Sequence, residues 1–530
     1  MIDTPLSNQS NYEKNLIMKK FILPAILFLL FSCSEKTVYF IDAESGSDSN
    51  SGHSPQSAWA TLEKVNQTIF KPGDKIYFKS GVSWEGQLEL KGSGTEEAPI
   101  KINRYGEGKN PAMHGKGGKL HTLLLHNVEY WEIRNLEITN TGEERVAGRR
   151  GVVVRAENFG DCRHIILDSL EIHHVNGSLV KSDGGGSAIL WHNSGDSVKT
   201  RFLGLQITNS HLHHCGRNGI NSRGYTNRKE WHPSLDVVIR NNLLEQIPGD
   251  GIVPIGTDGA LIEHNVMRDC PDILSHQEAA AGIWPWSADN TIIQYNEVSG
   301  HKAKWDGQGF DSDWNCQNTV IQYNYSHDNY GGFLLVCNNG SNVHTDRNIG
   351  TTNTIIRYNV SVNDGIRPYE TERRSWFAPT MHISGPVEHT KIYNNVFIIP
   401  EKPLKENDRT IVEMDNWGGP WPENTFFANN IFYVKEKADF YFEGDSGTQF
   451  TNNCFYGDFE NQPNDPDAIF DDPQFVDATA HDGGFEILKN YMLKKSSPCT
   501  DAGIQIENAG GEDLFGNPLE EEMNIGVHEF

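Results

Sequence analysis

VIRNN (238–242), LIEHN (261–265), IIQYN (292–296), VIQYN (320–324), IIRYN (355–359), KIYNN (391–395) and FFANN (426–430) share one rhythm: apolar residues, two variable positions, then an asparagine. The closing asparagines, Asn242, Asn265, Asn296, Asn324, Asn359, Asn395 and Asn430, lie 23 to 36 residues apart. Self-similarity at such a period, with strand-length apolar runs inside it, marks a stacked solenoid. An asparagine at a fixed corner can turn the chain and hydrogen-bond to its counterpart one coil away. The expected fold is all-β, a right-handed parallel β-helix.

Composition agrees. Of 530 residues 37% are hydrophobic, and Gly is abundant, which favours short strands and turns over long amphipathic helices. A net charge of −26 argues against nucleic acid, whose phosphates need a basic face. The phrases place coils at 119–456, between an N-terminal cap at 37–118 and a closing region at 457–530. An uncovered first coil would expose a sheet edge, so a cap is required.

Lys19 and Lys20, the apolar run FILPAILFLLFS and then Cys33 describe a secretory signal, too short to span a bilayer. Leu30-Phe31-Ser32-Cys33 resembles a bacterial lipobox, with Phe31 bulkier than usual. The resemblance implies lipidation at Cys33, with Met18 as start and 1–17 an upstream extension within the 1–33 leader. It implies an exported protein, lipid-anchored in the cell envelope and touching membrane only through that anchor. An ordinary secreted protein is the alternative.

The stretches at 37–66 and 71–90, and the DAIFDDPQFVD, SSPCTDAG, DLFGNPL and NIGVHEF segments of the tail, resemble the ends of exported β-helix carbohydrate-active proteins. That superfamily includes polysaccharide lyases, glycoside hydrolases, esterases, epimerases and adhesins, so the resemblance implies a fold more firmly than an activity.

The outward side of one sheet carries the functional reading. GINSR, GIVPI, GIWPW, GFDSD, GFLLV and TMHIS begin at Gly219, Gly251, Gly282, Gly309, Gly332 and Thr380. Alternate strand residues share a face. With the second residue inward, the third and fifth point out: Asn221 and Arg223, Val253 and Ile255, Trp284 and Trp286, Asp311 and Asp313, Leu334 and Val336, His382 and Ser384. Trp284 and Trp286 should therefore sit one coil, about 4.8 Å, from Asp311 and Asp313. Tryptophan faces beside carboxylates suit a sugar, although paired aspartates also suit bare solvent or Ca²⁺, and Asp306 with Asn315 keeps calcium open. No cofactor is required by this reading.

VHTDRN supplies His344 and Arg347, and DGIRPYETERRSW supplies Arg367, Tyr369, Arg373, Arg374 and Trp376. Such a loop either pairs with its own Glu370 and Glu372 or clamps a carboxylate or sulfate. The clamp favours β-elimination on a uronate of an acidic oligosaccharide or polysaccharide, as a lyase or dehydratase acting as a monomer. Arg367, Arg373 or Arg374 would neutralise the carboxylate, His382 or His344 would be the base and Tyr369 the acid. Arg223, Trp284, Trp286, Arg374, His344 and Arg347 would hold substrate. The alternative is glycoside hydrolysis by Asp311 and Asp313. A non-catalytic glycan-binding lipoprotein is third. HLHHC puts His211, His213 and Cys215 on one strand, but without a CxxC or partner motif no metal site is expected.

Overall fold

The computed structural model describes residues 37–340, 344–480 and 483–530. Cys33 and its leader lie outside them. Fourteen strands stack into one spine sheet, from Val38–Ile41 to Gln449–Thr451, parallel at each rung. Two further faces complete each coil, giving a parallel β-helix.

Each repeated phrase is one rung of the spine. Its central apolar residue enters the bore, so Ile239, Ile262, Ile293, Ile321, Ile356, Ile392 and Phe427 form a fully buried file. Burial of each such side chain contributes roughly 1.5–3 kcal/mol. The next residue faces out, and the one after it turns the corner with a left-handed backbone: φ is +55° at His264, +54° at Tyr295, +57° at Tyr323 and +52° at Tyr358. A turned-out aromatic at this point stacks on its neighbour, with Tyr295 and Tyr323 ring centres 5.0 Å apart.

The asparagine follows, and it is buried. The backbone N–H and Nδ2 of Asn296 donate to Oδ1 of Asn324 at 2.9 and 3.1 Å, and Asn324 donates likewise to Asn359 at 3.0 Å. Nδ2 also reaches a carbonyl of the preceding coil, Ile293 for Asn324 at 2.9 Å. The ladder runs through Asn242, Asn265, Asn296, Asn324, Asn359, Asn395 and Asn430 to Asn453, whose amide reaches Asp465 at 2.9 Å. Every polar atom of these side chains is used, which is what their burial demands.

At the N-terminal end a short helix, Leu62–Asn66, starts on Thr61, whose hydroxyl accepts from the Lys64 N–H, and buries Leu62 and Val65. Past the last coil the tail returns along the spine: Nη1 of Arg357 donates to the Asn508 carbonyl at 2.7 Å and Nδ2 of Asn394 to that of Asn524 at 3.0 Å. It covers Tyr323, Tyr358 and Tyr393 with Tyr491, Leu493 and Ile525.

The strands that carry the site begin with glycine for a steric reason. A Cβ on Gly282 would lie 2.3 Å from the Gly309 carbonyl oxygen. One expectation is corrected here. Phe310 pairs with Leu334 and Asp311 with Leu335, so Gly309 aligns with Phe333 rather than Gly332. Gly332, at φ +119°, pairs instead with Gln308, and the extra glycine of the Gly331-Gly332 pair displaces the phase by one. Leu335 and Cys337 therefore face outward, whereas Leu334 and Val336 fill the core.

Asn324→Ala should destabilise the fold by about 2 kcal/mol or more in urea unfolding, because it orphans donors and acceptors on both neighbouring coils. Asn318→Gly, at an exposed left-handed corner, should change stability by less than about 0.5 kcal/mol. Equal effects would contradict the ladder's role.

Candidate active site

The register sets the site's floor. Asn221, Val253, Trp284, Asp311, Leu335, His382 and Glu413 form one outward file, and Ile255, Trp286 and Asp313 belong to the next. Over Trp284, Trp286, Asp311 and Asp313 opens a cavity of about 630 Å³, walled by Trp305, Trp314 and Trp417. Its rim carries Lys181, Arg373 and Arg374, and a third carboxyl group, Asp306, enters from the short strand Trp305–Asp306. A narrower arm of about 300 Å³ continues past Trp284 and Trp286 to Arg150, Asn221 and Arg223. Another opening, past Trp286 and Trp314, reaches Arg347.

The tryptophans are less exposed than a bare sheet face would make them. Trp284 is 6% accessible, packed with Val253, Ala281, Ile255 and Trp286 and with the Lys181 ammonium 5.0 Å over its ring. Its indole N–H and Oδ1 of Asp311 are buried without a hydrogen-bond partner among the described residues. An unpaired donor and acceptor in one cavity match the hydroxyl groups of a ligand.

The three carboxyl groups share one dry space, and their acidities follow from it. Burial, then the neighbouring carboxylates of Asp313, Asp306 and Asp250, push Asp311 well above the usual carboxylate range. Asp313 is raised to about 6 by burial, opposed by the Trp314 N–H at 2.6 Å and the Cys337 thiol at 3.2 Å. Asp306 is raised by burial and pulled back by Arg374 and Lys181. Carboxyl groups with separated acidities in one cleft are the usual raw material of acid–base chemistry.

The arginine–tyrosine loop lies beside the cavity, but its members divide. Arg373 stacks 3.2 Å above the Trp305 ring and Arg374 lies over Phe377 and Trp417, so both face the opening. Arg367 does not act as an anion clamp: it is 3% accessible and donates to the Asp306 carbonyl at 2.7 Å and that of Ala303 at 3.3 Å. It anchors the loop, and with it the short strand that presents Asp306. Tyr369 points away: its hydroxyl donates to Asp272 at 2.7 Å, and burial, then that carboxylate, weaken its acidity. His382 keeps its place two coils from Asp311 but is sealed beneath Phe377 and Trp417, with Nε2 3.0 Å from Asp415. His344 is on the surface, 3.1 Å from Glu388. The base and acid expected for elimination thus do not meet in the cavity. Asn315 is also engaged elsewhere, donating to Ser287 Oγ at 2.9 Å.

Sequence reasoning passed over Trp305, Trp314, Trp417, Lys181 and Asp250 as site residues, and treated Asp306 only as a possible calcium ligand. None lies on the six aligned strand phrases. The clearest available signal was the WDG triplet at 305–307, an acid beside a tryptophan just before the GFDSD strand.

Comparison with known proteins places these observations among relatives. The profile of the right-handed beta helix region matches residues 187–378. A lacto-N-biosidase of Bifidobacterium longum subsp. longum is 28% identical across 94% of this chain, which spans 36% of that protein's length. The crystal structure of a GH136 lacto-N-biosidase from Eubacterium ramulus superposes with a TM-score of 0.56 at 25% identity, covering 71% of this chain and 65% of that one. An alpha-1,3-galactosidase A of Akkermansia muciniphila is 33% identical over 15% of this chain and 13% of its own. These relatives are glycoside hydrolases, and with the elimination residues dispersed they overturn the β-elimination reading.

The acidities make a stability prediction. Between about pH 4 and 6 folded Asp313 keeps a proton that the unfolded chain releases, so its contribution is favourable at low pH and is lost as pH rises through about 6. Asp313→Asn should raise the melting temperature relative to the parent at neutral pH, and the gain should shrink toward zero below about pH 4. A gain independent of pH would contradict this assignment.

Proposed function

We propose that this chain is a glycoside hydrolase that cleaves an oligosaccharide bound in the tryptophan-walled cavity. The observation that carries the reading is the convergence of Asp306, Asp311 and Asp313 there. Two carboxyl groups must flank a scissile glycosidic bond. Asp311 lies in the strand Gln308–Ser312 and Asp313 just past its end, while Asp306 comes from a separate two-residue strand, Trp305–Asp306, and also lines the cavity.

In this reading Asp313 is the ionised partner. The two hydrogen bonds it accepts favour the carboxylate, and with a pKa of about 6 it is charged at neutral pH. It acts at the anomeric carbon, directly or through a water. Asp306, its acidity weakened by burial, is placed to give a proton to the leaving oxygen. Asp311, whose acidity burial and the neighbouring carboxylates weaken, turns its unpaired Oδ1 to a sugar hydroxyl. The half-buried indole of Trp286 packs against a pyranose ring, and a cavity of about 630 Å³ has room for a disaccharide.

The names of the relatives make a lacto-N-biose unit the first substrate to test. On an aryl lacto-N-bioside, Asp313→Asn and Asp306→Asn should each lower kcat/KM by about a thousand-fold or more, and Asp311→Asn by less. Activity should rise with pH through about 6 as Asp313 ionises. Asp306→Asn and Asp313→Asn variants that fold and retain parental turnover would refute the assignment.

We extend the proposal to an exported protein acylated at Cys33, acting where oligosaccharides reach the cell envelope. Cys33→Ala should then move the protein from the detergent phase to the aqueous phase; a parent already in the aqueous phase would exclude the anchor.

A further inference from the structure

Away from the cavity, on another face of the helix, two strands repeat one pattern: Glu171–Val175 reads EIHHV and His211–Cys215 reads HLHHC. They are direct neighbours. Glu171 pairs with His211, His173 with His213 and Val175 with Cys215. His174 and His214 are left-handed, at φ +51° and +54°, and so form matched bulges. Cys215 is thereby turned into the core, which removes it from the set that HLHHC alone would offer, and the second histidine of each coil is brought onto the surface instead.

The four rings stand in register. His173 lies over His213 with centroids 4.7 Å apart and planes 1° from parallel, and His174 over His214 at 5.0 Å and 2°. Within a coil the Nδ1 atoms face each other, 2.7 Å apart for His173 and His174 and 2.9 Å for His213 and His214. The outer nitrogens have carboxylates: Nε2 of His173 is 3.2 Å from Glu137, and Nε2 of His213 is 3.7 Å from Glu171. A carboxylate that takes the Nε2 proton leaves a lone pair at Nδ1, the arrangement that orients histidines toward a metal. Ligand nitrogens of His173, His174 and His213 all lie within 4.8 Å of one another. Small ring rotations bring them to the roughly 3.3 Å mutual separation around a tetrahedral ion with bonds of about 2.0–2.1 Å.

We infer that His173, His174 and His213 form a site for a divalent transition metal of the zinc type, with water as fourth ligand, joining two successive coils. All-imidazole ligation selects zinc, copper or nickel over calcium or magnesium. The neighbouring combination of Glu171, His211 and His213 is the poorer one, because Nε2 of His211 is already 2.7 Å from Glu245. The ion takes the place of the hydrogen bond between the Nδ1 atoms of His173 and His174, and each neutral ring keeps its one proton on Nε2. It lies on a separate face from Asp313 and serves stability rather than hydrolysis.

The test uses the full chain without a polyhistidine tag, stripped with chelator and titrated with zinc chloride by calorimetry. One equivalent should bind with micromolar or tighter affinity and raise the melting temperature, and cobalt(II) should give visible bands of a four-coordinate site. His213→Ala and His174→Ala, checked for folding by circular dichroism, should each weaken binding at least ten-fold and lose those bands. Absence of binding by the parent, or equal binding by the variants, would overturn the inference. Loss of glycoside turnover in Asp313→Asn leaves the titration unchanged, so the two proposals fail separately.

Discussion

The hydrogen bond from one buried asparagine amide to the next fixes everything else in this molecule. Each coil brings a polar side chain into an apolar bore, where an unpaired amide would be destabilising by several times the net worth of a single hydrogen bond. The partner that satisfies it is the same residue one coil on, as in Asn296 to Asn324 to Asn359. A slip of one residue would orphan two donors and turn the buried file of Ile293, Ile321 and Ile356 out to solvent. Register is thus held by polar and apolar terms that agree, which gives a repetitive sequence a single pairing.

From that register the site follows. Asp311 and Asp313 are aligned one coil from Trp284 and Trp286 because the corners on either side are aligned. The cavity itself is a product of irregularity. The two-residue strand Trp305–Asp306 and the loop that Arg367 pins to it depart from the coil rhythm, and together they wall the cavity that holds the carboxyl groups. The resulting desolvation and like-charge crowding hold Asp311 and Asp313 partly or wholly protonated at pH values where an exposed aspartate is charged. Stability given up there is the usual accompaniment of a reactive site.

The fold was legible because it is periodic. Strand register at Trp284, Asp311 and His382 could be read from glycine-led phrases, and it fails only at Leu334 and Val336, where a second glycine disguises the phase. The loops were not legible. Nothing in DGIRPYETERRSW distinguishes Arg367, buried on carbonyls, from Arg373, stacked at the cavity rim. They lie six positions apart, and a loop has no period to say which way each points. The same limit hid the histidine pairs. EIHHV and HLHHC are obvious partners once stacked, but their left-handed bulges decide which side chains meet, and that conformation is not written in either phrase alone.

The central claim is that a glycosidic bond is broken between Asp306 and Asp313. The most direct test is a crystal structure of the Asp313→Asn variant soaked with an intact oligosaccharide carrying a lacto-N-biose unit. The account predicts the scissile oxygen within hydrogen-bond reach of Asp306, the anomeric carbon facing residue 313, and a pyranose ring against Trp286. An oligosaccharide bound elsewhere on the helix, or one lying in the cavity with both carboxyl positions on the same side of its glycosidic bond, would contradict it.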